Sequence, residues 1–209
     1  MVNLNSNFYK SWQKILKKNK NKIIQSKLIG KISRGINEEK LSLIDTIVKT
    51  KNNEKLNRAL ILEPPSVVVV PVLKLKKTKK FILVKQFRIS QGKEILEFPA
   101  GAVNNNDIIK SALEEIREEI NIEINKQDLK PLYPKPIMMT PSYNSSLAYF
   151  FYFEKKTNEK ILNKINNSVS GLKKFGERIK IKIVGYKEIV KISSSSVVIG
   201  ISLYNRLKK

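Results

Sequence analysis

The chain contains neither cysteine nor histidine. Without cysteine there is no disulfide, no thiolate nucleophile and no thiolate zinc site. Without histidine the commonest general base, the Ser-His-Asp triad and most transition-metal sites are excluded as well. Acid is scarce: 18 Asp and Glu stand against 41 Lys and Arg, a formal charge of +23 over 209 residues. No apolar run approaches the roughly 20 residues of a membrane span. Nor does a basic start followed by about 7–15 apolar residues mark a secretory signal. Carboxylates are therefore the main groups left to bind a metal or move a proton near neutral pH. Positive charge on this scale fits a polyanionic partner: RNA, an acidic protein or a phosphate-bearing substrate.

The acids concentrate in residues 97–122, EFPAGAVNNNDIIKSALEEIREEINI. From Asp107 to Ile120 the residues Ile108, Ala112, Ile116 and Ile120, joined by Ile109 and Leu113, recur at the spacing of an amphipathic helix. Glu115, Glu118 and Glu119 fall at i, i+3 and i+4, which puts their Cβ atoms about 5–6 Å apart on one strip. Like charges that close repel, and a hard cation such as Mg²⁺ turns the repulsion into attraction. The plainer alternative is a solvated acidic face with Glu114 and Arg117 as an ordinary pair. Upstream, the strand-like Glu94–Phe98 runs into Pro99-Ala100-Gly101, an Asn104-Asn105-Asn106 turn and Asp107 at the helix N-cap position.

A strand, a glycine turn and a carboxylate-lined helix in this order resemble the Nudix box. Gly101 matches its opening glycine, Asp107 stands near its first Glu, and Glu115-Ile116-Arg117-Glu118-Glu119 matches its Glu-aliphatic-any-Glu-Glu core. Glu114 takes the place of the box arginine and Asn121 that of its second glycine, and the interval from Gly101 to Glu114 is one residue short. Lys85-Gln86-Phe87-Arg88 and Glu97-Phe98-Pro99-Ala100-Gly101 resemble the ADP-ribose and ADP-sugar pyrophosphatase branch of that family.

Outside this stretch, residues 1–28 hold seven lysines and no acid. Phe8, Trp12, Ile15 and Leu16 share one helical face, with Lys10, Lys14, Lys17 and Lys18 around it. Such an arm suits docking on the protein itself, an anionic surface or RNA, or an organelle-targeting extension. Residues 29–63 read as a small β region, and Pro64-Pro65 opens the main domain, 64–209. There Ser66–Leu73 reads as a buried strand with a bulge or sheet edge at Pro71. The basic turn Lys76–Lys80 leads to Phe81–Val84, its hairpin partner. Leu129–Met139 and Ser146–Phe153 read as strands around the loop Thr140–Ser145, and Tyr149–Phe153 as core packing. Residues 155–176 read as a polar loop or short helix, Arg178–Val184 as a strand, and Val197–Leu207 as a closing helix capped from Ser193–Ser196.

The resemblance implies an α/β/α Nudix sandwich with a mixed central sheet, a β region that can help form a homodimer, and Mg²⁺- or Mn²⁺-dependent cleavage of ADP-ribose, an ADP-sugar or a related nucleoside diphosphate derivative. It also implies metal ligands at the Ala100 carbonyl, Glu115, Glu118, Glu119 and Glu177, catalytic roles for Glu115, Glu119 and Glu177, and substrate contacts at Arg88, Glu97 and Gly101. Phe175 falls where the branch carries its proposed base, and Ser145 or Ser146 where a loop acid is expected. The losses of the box Arg, the box Gly and the loop base, with the basic arm and the net charge, support the alternative of a non-catalytic Nudix-fold binding or assembly module, for example in a ribonucleoprotein particle. The expected compartment is the cytoplasm, with an organelle as the alternative.

Overall fold

The computed structural model describes residues 7–33, 39–166, 168–171 and 179–207. The chain forms two compact units, one running through Pro65 and including Ile137–Ala148, the other made of Ser66–Pro136 and Tyr149–Lys209.

In the first unit, helix α1 (Asn7–Lys18) precedes the antiparallel strands β1 (Lys22–Ser33), β2 (Glu39–Lys49) and β3 (Lys55–Leu62), ordered β1-β2-β3. Phe8, Tyr9 and Trp12 of α1 pack with Ile44 and Leu62 and with Ile23, Leu28 and Leu60. The aromatic face of this helix is thus spent on its own unit, while Lys10, Lys14, Lys17 and Lys18 stay exposed. A glycine-free turn at Lys51–Glu54 joins β2 to β3, with Asn53 at φ 68°, a region Asn tolerates better than most residues. The loop Thr140–Ser146 is held to the end of β3. Ile61 N–H donates to the Tyr143 carbonyl at 2.8 Å, Ser145 N–H to the Ile61 carbonyl at 3.0 Å, and Asn144 Nδ2 to Glu63 Oε1 at 2.9 Å.

The second unit carries β4 (Ser66–Lys74), β5 (Lys79–Arg88), β6 (Lys93–Glu97), β7 (Ala100–Ala102), α2 (Ile108–Ile120) and β8 (Lys130–Pro131). After β9 (Ile137–Met138) of the first unit, β10 (Leu147–Lys156) begins by pairing with β9 and runs into the second. There follow α3 (Glu159–Ile165), β11 (Val169–Ser170), β12 (Ile179–Gly185), α4 (Tyr186–Ile189) and α5 (Ser195–Arg206). The sheet order is β11-β12-β5-β4-β10-β8, with β6 on β5 and β7 on β4. Between Leu129 and Met139 only β8 and β9 form, each of two residues, because Pro131, Pro134 and Pro136 cannot donate to a ladder.

Both faces of this sheet are covered, which is why its strands read as continuous apolar runs. On one face Val67, Val69, Leu73, Ile82, Val84, Phe151, Phe153, Ile179 and Ile181 form a core with Ala112, Ile116 and Ile120 of α2. On the other, Val70 and Phe98 meet α5, where a Cβ on Gly200 would lie 2.9 Å from Val70 Cγ2 and from Phe98 Cε2. Phe81 meets the ring of Tyr204 edge-on at 5.9 Å. Pro71 falls between two registers of β4, which pairs with β7 at Ser66–Val68 and with β5 at Val72–Lys74. The polar insertion after β10 contains α3, capped by Asn158 accepting from Ile161 N–H at 3.0 Å.

Glu154 of β10 ties four elements together. It pairs with Lys74 of β4, lies 3.4 Å from Lys79 Nζ of β5, and accepts a 2.5 Å hydrogen bond from the Tyr204 hydroxyl of α5. Burial alone would push the Glu154 carboxyl up, but Lys74, the Tyr204 hydroxyl and Lys79 outweigh it and hold the group below the usual range. Burial, then the bond to Glu154, raises the Tyr204 hydroxyl well above its ordinary value, so it stays a donor.

This packing can be tested at Gly200 and at Glu154. Gly200→Ala gains about 1 kcal/mol of helix propensity, but overpacking against two fully buried side chains costs typically about 1–3 kcal/mol. Urea denaturation should therefore show a net loss of roughly 1 kcal/mol. A carboxylate whose folded pKa is depressed stabilises the fold above its unfolded value and loses that contribution as pH falls through the folded value. Glu154→Gln should accordingly lower the melting temperature at pH 7, and the gap to wild type should close on acidification.

Candidate active site

Local sequence chemistry sets the bend that precedes α2. Phe98 is fully buried and its N–H donates to Ser196 Oγ at 3.3 Å, while the Pro99 carbonyl accepts from Val69 N–H at 2.9 Å. Ala100 and Gly101 then pair with Val68 and Val67. Asn105 and Asn106 take positive φ (50° and 58°) in the turn. Asp107 caps the helix by accepting from Lys110 N–H at 2.9 Å, and Ser111 Oγ links the Asp107 carbonyl to Asn104 N–H. At the other end Asn121 is left-handed (φ 52°, ψ 42°) and its N–H closes on the Arg117 carbonyl at 3.1 Å. Asn121 stands at the box's second glycine, and it supplies the left-handed backbone with which a helix commonly ends, glycine first and asparagine next.

Glu115 and Glu119, one turn apart, converge on the two adjacent residues Ala100 and Gly101. Glu119, only 7 % exposed, accepts from Ala100 N–H through Oε2 at 2.9 Å. A Cβ built on Gly101 would fall 1.8 Å from Glu115 Oε1, so the Glu115 carboxylate occupies the space that a side chain there would need. Glu118 is partly exposed beside them. Glu114 lies 3.9 Å from Lys110 one turn back, rather than pairing with Arg117. Glu119 is thus held from the bend across from it, by a main-chain donor. The last turn of α2 is further tied to β11: Ser170 Oγ donates to the Glu119 carbonyl and Gly171 N–H to the Glu118 carbonyl. Those bonds satisfy carbonyls that a helix end leaves without partners. Glu177 and Phe175 lie outside the described residues.

Arg88 ends β5 and donates through Nε to Glu97 Oε2 at 2.6 Å, which also accepts from Gln86 Nε2 at 3.3 Å. Glu97 stands opposite Val84 in the β5–β6 ladder, so Gln86 and Arg88 reach it from the same side of the sheet. This contact uses Nε alone, and a guanidinium has further N–H donors in the same plane for an oxygen pair. Sequence reasoning singles out Arg88, Glu97, Ala100, Gly101, Glu115, Glu118 and Glu119. The structure brings Glu115 and Glu119 to Ala100 and Gly101, and Arg88 to Glu97. Reasoning from sequence misses Ser170, Gly171 and Ser196, which act through contacts distant along the chain and carry no local signal.

The donor set is all oxygen, which suits a hard divalent cation rather than a soft one. Among the described residues, no group of three or more acids is gathered at metal-binding distance. Two carboxylates and the Ala100 peptide are what the described residues bring together at the bend. A cleft of about 770 Å³ bordered by Leu113, Glu114, Arg117 and Phe153 lies on a different side of α2 from Glu115 and Glu119. Gly101→Ala should displace only the flexible end of Glu115. It should leave the unfolding free energy from urea denaturation within about 1 kcal/mol of wild type while weakening Mn²⁺ binding, measured by calorimetry, at least tenfold.

No protein-family profile matches the chain. Its sequence is 25 % identical over 173 residues to Nudix hydrolase 14, chloroplastic, of Arabidopsis thaliana, covering 78 % of this chain and 56 % of that protein. The chain thus spans about half the length of that curated relative. Its structure superposes on that of an ADP compounds hydrolase with a TM-score of 0.62 and 15 % identity, over 90 % of this chain and 93 % of the other. The second unit has the mixed α/β fold of that hydrolase, with helices on both faces of its sheet. Sequence similarity, the glycine bend with its glutamate-bearing helix, and the shared fold together make the chain similar to the Nudix hydrolases.

Proposed function

We propose that the protein is a divalent-cation-dependent hydrolase that cleaves the pyrophosphate of a nucleoside diphosphate derivative, with ADP-ribose or an ADP-sugar as substrate. The observation that carries this reading is the convergence of Glu115 and Glu119 on Ala100 and Gly101. Carboxylates so placed offer hard oxygen donors to a divalent cation, and the family resemblance supplies the expectation of one. The names of the relative and of the structural neighbour, a Nudix hydrolase and an ADP compounds hydrolase, support the reaction class.

In this reading Glu115, Glu118 and Glu119, with the Ala100 carbonyl, hold Mg²⁺ or Mn²⁺, and Glu177 adds a further carboxylate. Bound there, the cation supplies charge neutralisation at the pyrophosphate and a more acidic water. Arg88, oriented by Glu97, binds phosphate oxygens through the donors it does not spend on that carboxylate. Gly101 leaves the Glu115 carboxylate room beside the bend. Ala100 N–H keeps Glu119 pointed at the same place. The chloroplastic designation of the relative supports the organelle alternative for the basic N-terminal segment.

Purified protein incubated with ADP-ribose and Mg²⁺ should release AMP, and Glu119→Gln should lower kcat/KM by at least a hundredfold with the fold retained by circular dichroism. No turnover across a panel of nucleoside diphosphate derivatives would replace this reading with a non-catalytic binding module.

A further inference from the structure

At the end of β5 far from Arg88, about 30 Å away for nine steps of roughly 3.3 Å, lies a second cavity of about 640 Å³. The β4–β5 turn, the β12–α4 corner and the last turn of α5 enclose it. Phe81 and Tyr204, 1 % and 3 % exposed, form its aromatic floor in edge-to-face contact. Tyr186, half exposed, is the accessible ring of its wall. Asn205 Nδ2 donates to the Tyr186 hydroxyl at 2.8 Å, which fixes that ring and leaves the Asn205 side-chain oxygen able to accept. Lys80 and Lys187 line the same space. The Lys80 ammonium and the Glu188 carboxylate both lie against the bare backbone of Gly185, 3.4 and 3.5 Å from where its Cβ would stand.

The charges facing this cavity can be weighed one by one. Lys79 is committed, since its ammonium contacts both Glu154 and the Tyr204 hydroxyl. Glu188 accepts from Gly185 N–H at 2.8 Å and is the one acid among the described residues that line the cavity. The C-terminal end of α5 adds about half a negative charge, which a single lysine would offset. Lys80 and Lys187 exceed these opposing charges, and Lys76, Lys77 and Arg206 adjoin the lining in sequence. The basic turn Lys76–Lys80 has no part in the candidate active site.

We infer that this cavity is a second nucleotide site, taking a mononucleotide with its base against Tyr186 and its phosphate between Lys80 and Lys187. An aromatic wall beside a cationic mouth recognises a planar ring that carries an anion. Stacking on one ring contributes about 1–3 kcal/mol per base, and the volume suits one nucleotide. A strand of nucleic acid would instead need a continuing row of rings.

Binding at this cavity does not depend on catalysis at the other, and the two can be measured apart. Calorimetric titration of the Glu119→Gln protein with AMP in EDTA should show one saturable site, with adenosine and ribose 5-phosphate each at least tenfold weaker. Lys80→Ala/Lys187→Ala and Tyr186→Ala, the latter on an exposed side chain, should each weaken AMP binding at least tenfold in that background, whereas Arg88→Ala should leave it unchanged. An 8-azido-AMP photolabel should attach within residues 179–191. AMP binding that survives both pocket variants, adenosine binding as tightly as AMP, or no saturable AMP site at millimolar concentration would overturn the inference. So would binding of a uridine oligonucleotide in the absence of AMP binding.

Discussion

Two glutamates one turn apart can face the same strand only if that strand offers them a bare α-carbon and an N–H. Gly101 provides the first and Ala100 the second, and the placement of the two carboxylates depends on both. A buried carboxylate is costly unless its lone pairs are met, by several kcal/mol in a dry interior. Two like charges at this spacing also lower helix stability by a few tenths of a kcal/mol. What outweighs these terms is the apolar face on the other side of the helix. Ala112, Ile116 and Ile120 are essentially fully buried, and each isoleucine contributes about 1.5–3 kcal/mol by leaving water. The core thus anchors the helix that carries both carboxylates.

The same logic extends through the sheet. Each residue of β4 from Val67 to Val70 has a definite side, with odd positions toward α2 and Val70 toward α5. Because α5 approaches closely only where Gly200 has no side chain, the ring of Phe98 is fixed between helix and sheet, and the bend that follows Phe98 inherits that rigidity. Ser196 reinforces the link by receiving the Phe98 N–H. A helix remote in sequence therefore helps to set the backbone on which the acidic groups rest.

Much of this is legible in the order of the residues. The helix over 108–120, its Asp107 cap, the paired strands around Lys76–Lys80 and the closing helix capped by Ser194 follow from periodicity and capping chemistry, which act within a few residues. The substitution of Asn121 for a glycine reads as a loss, yet Asn121 is the one other residue type that commonly takes that backbone. The run Leu129–Met139 looks like a strand because its apolar residues outweigh its prolines, but a missing N–H counts against a ladder whatever the side chains favour. Three features have no local signature. These are the space above Gly101, the four-way junction at Glu154 and the tie from Ser170 to the end of α2. Each joins positions far apart in the chain, so only the folded arrangement reveals them.

Pro71 has a consequence for how reliably this sheet assembles. Four consecutive valines carry no information about alignment along the strand, and a shift by two residues would leave every side chain on its proper face. Such a shift in one direction would place the imino acid where Val69 donates to Pro99, and in the other would carry it into the stretch that pairs with β5. A residue unable to donate thereby acts as a molecular stop, selecting a single alignment for a segment whose side chains could not choose one.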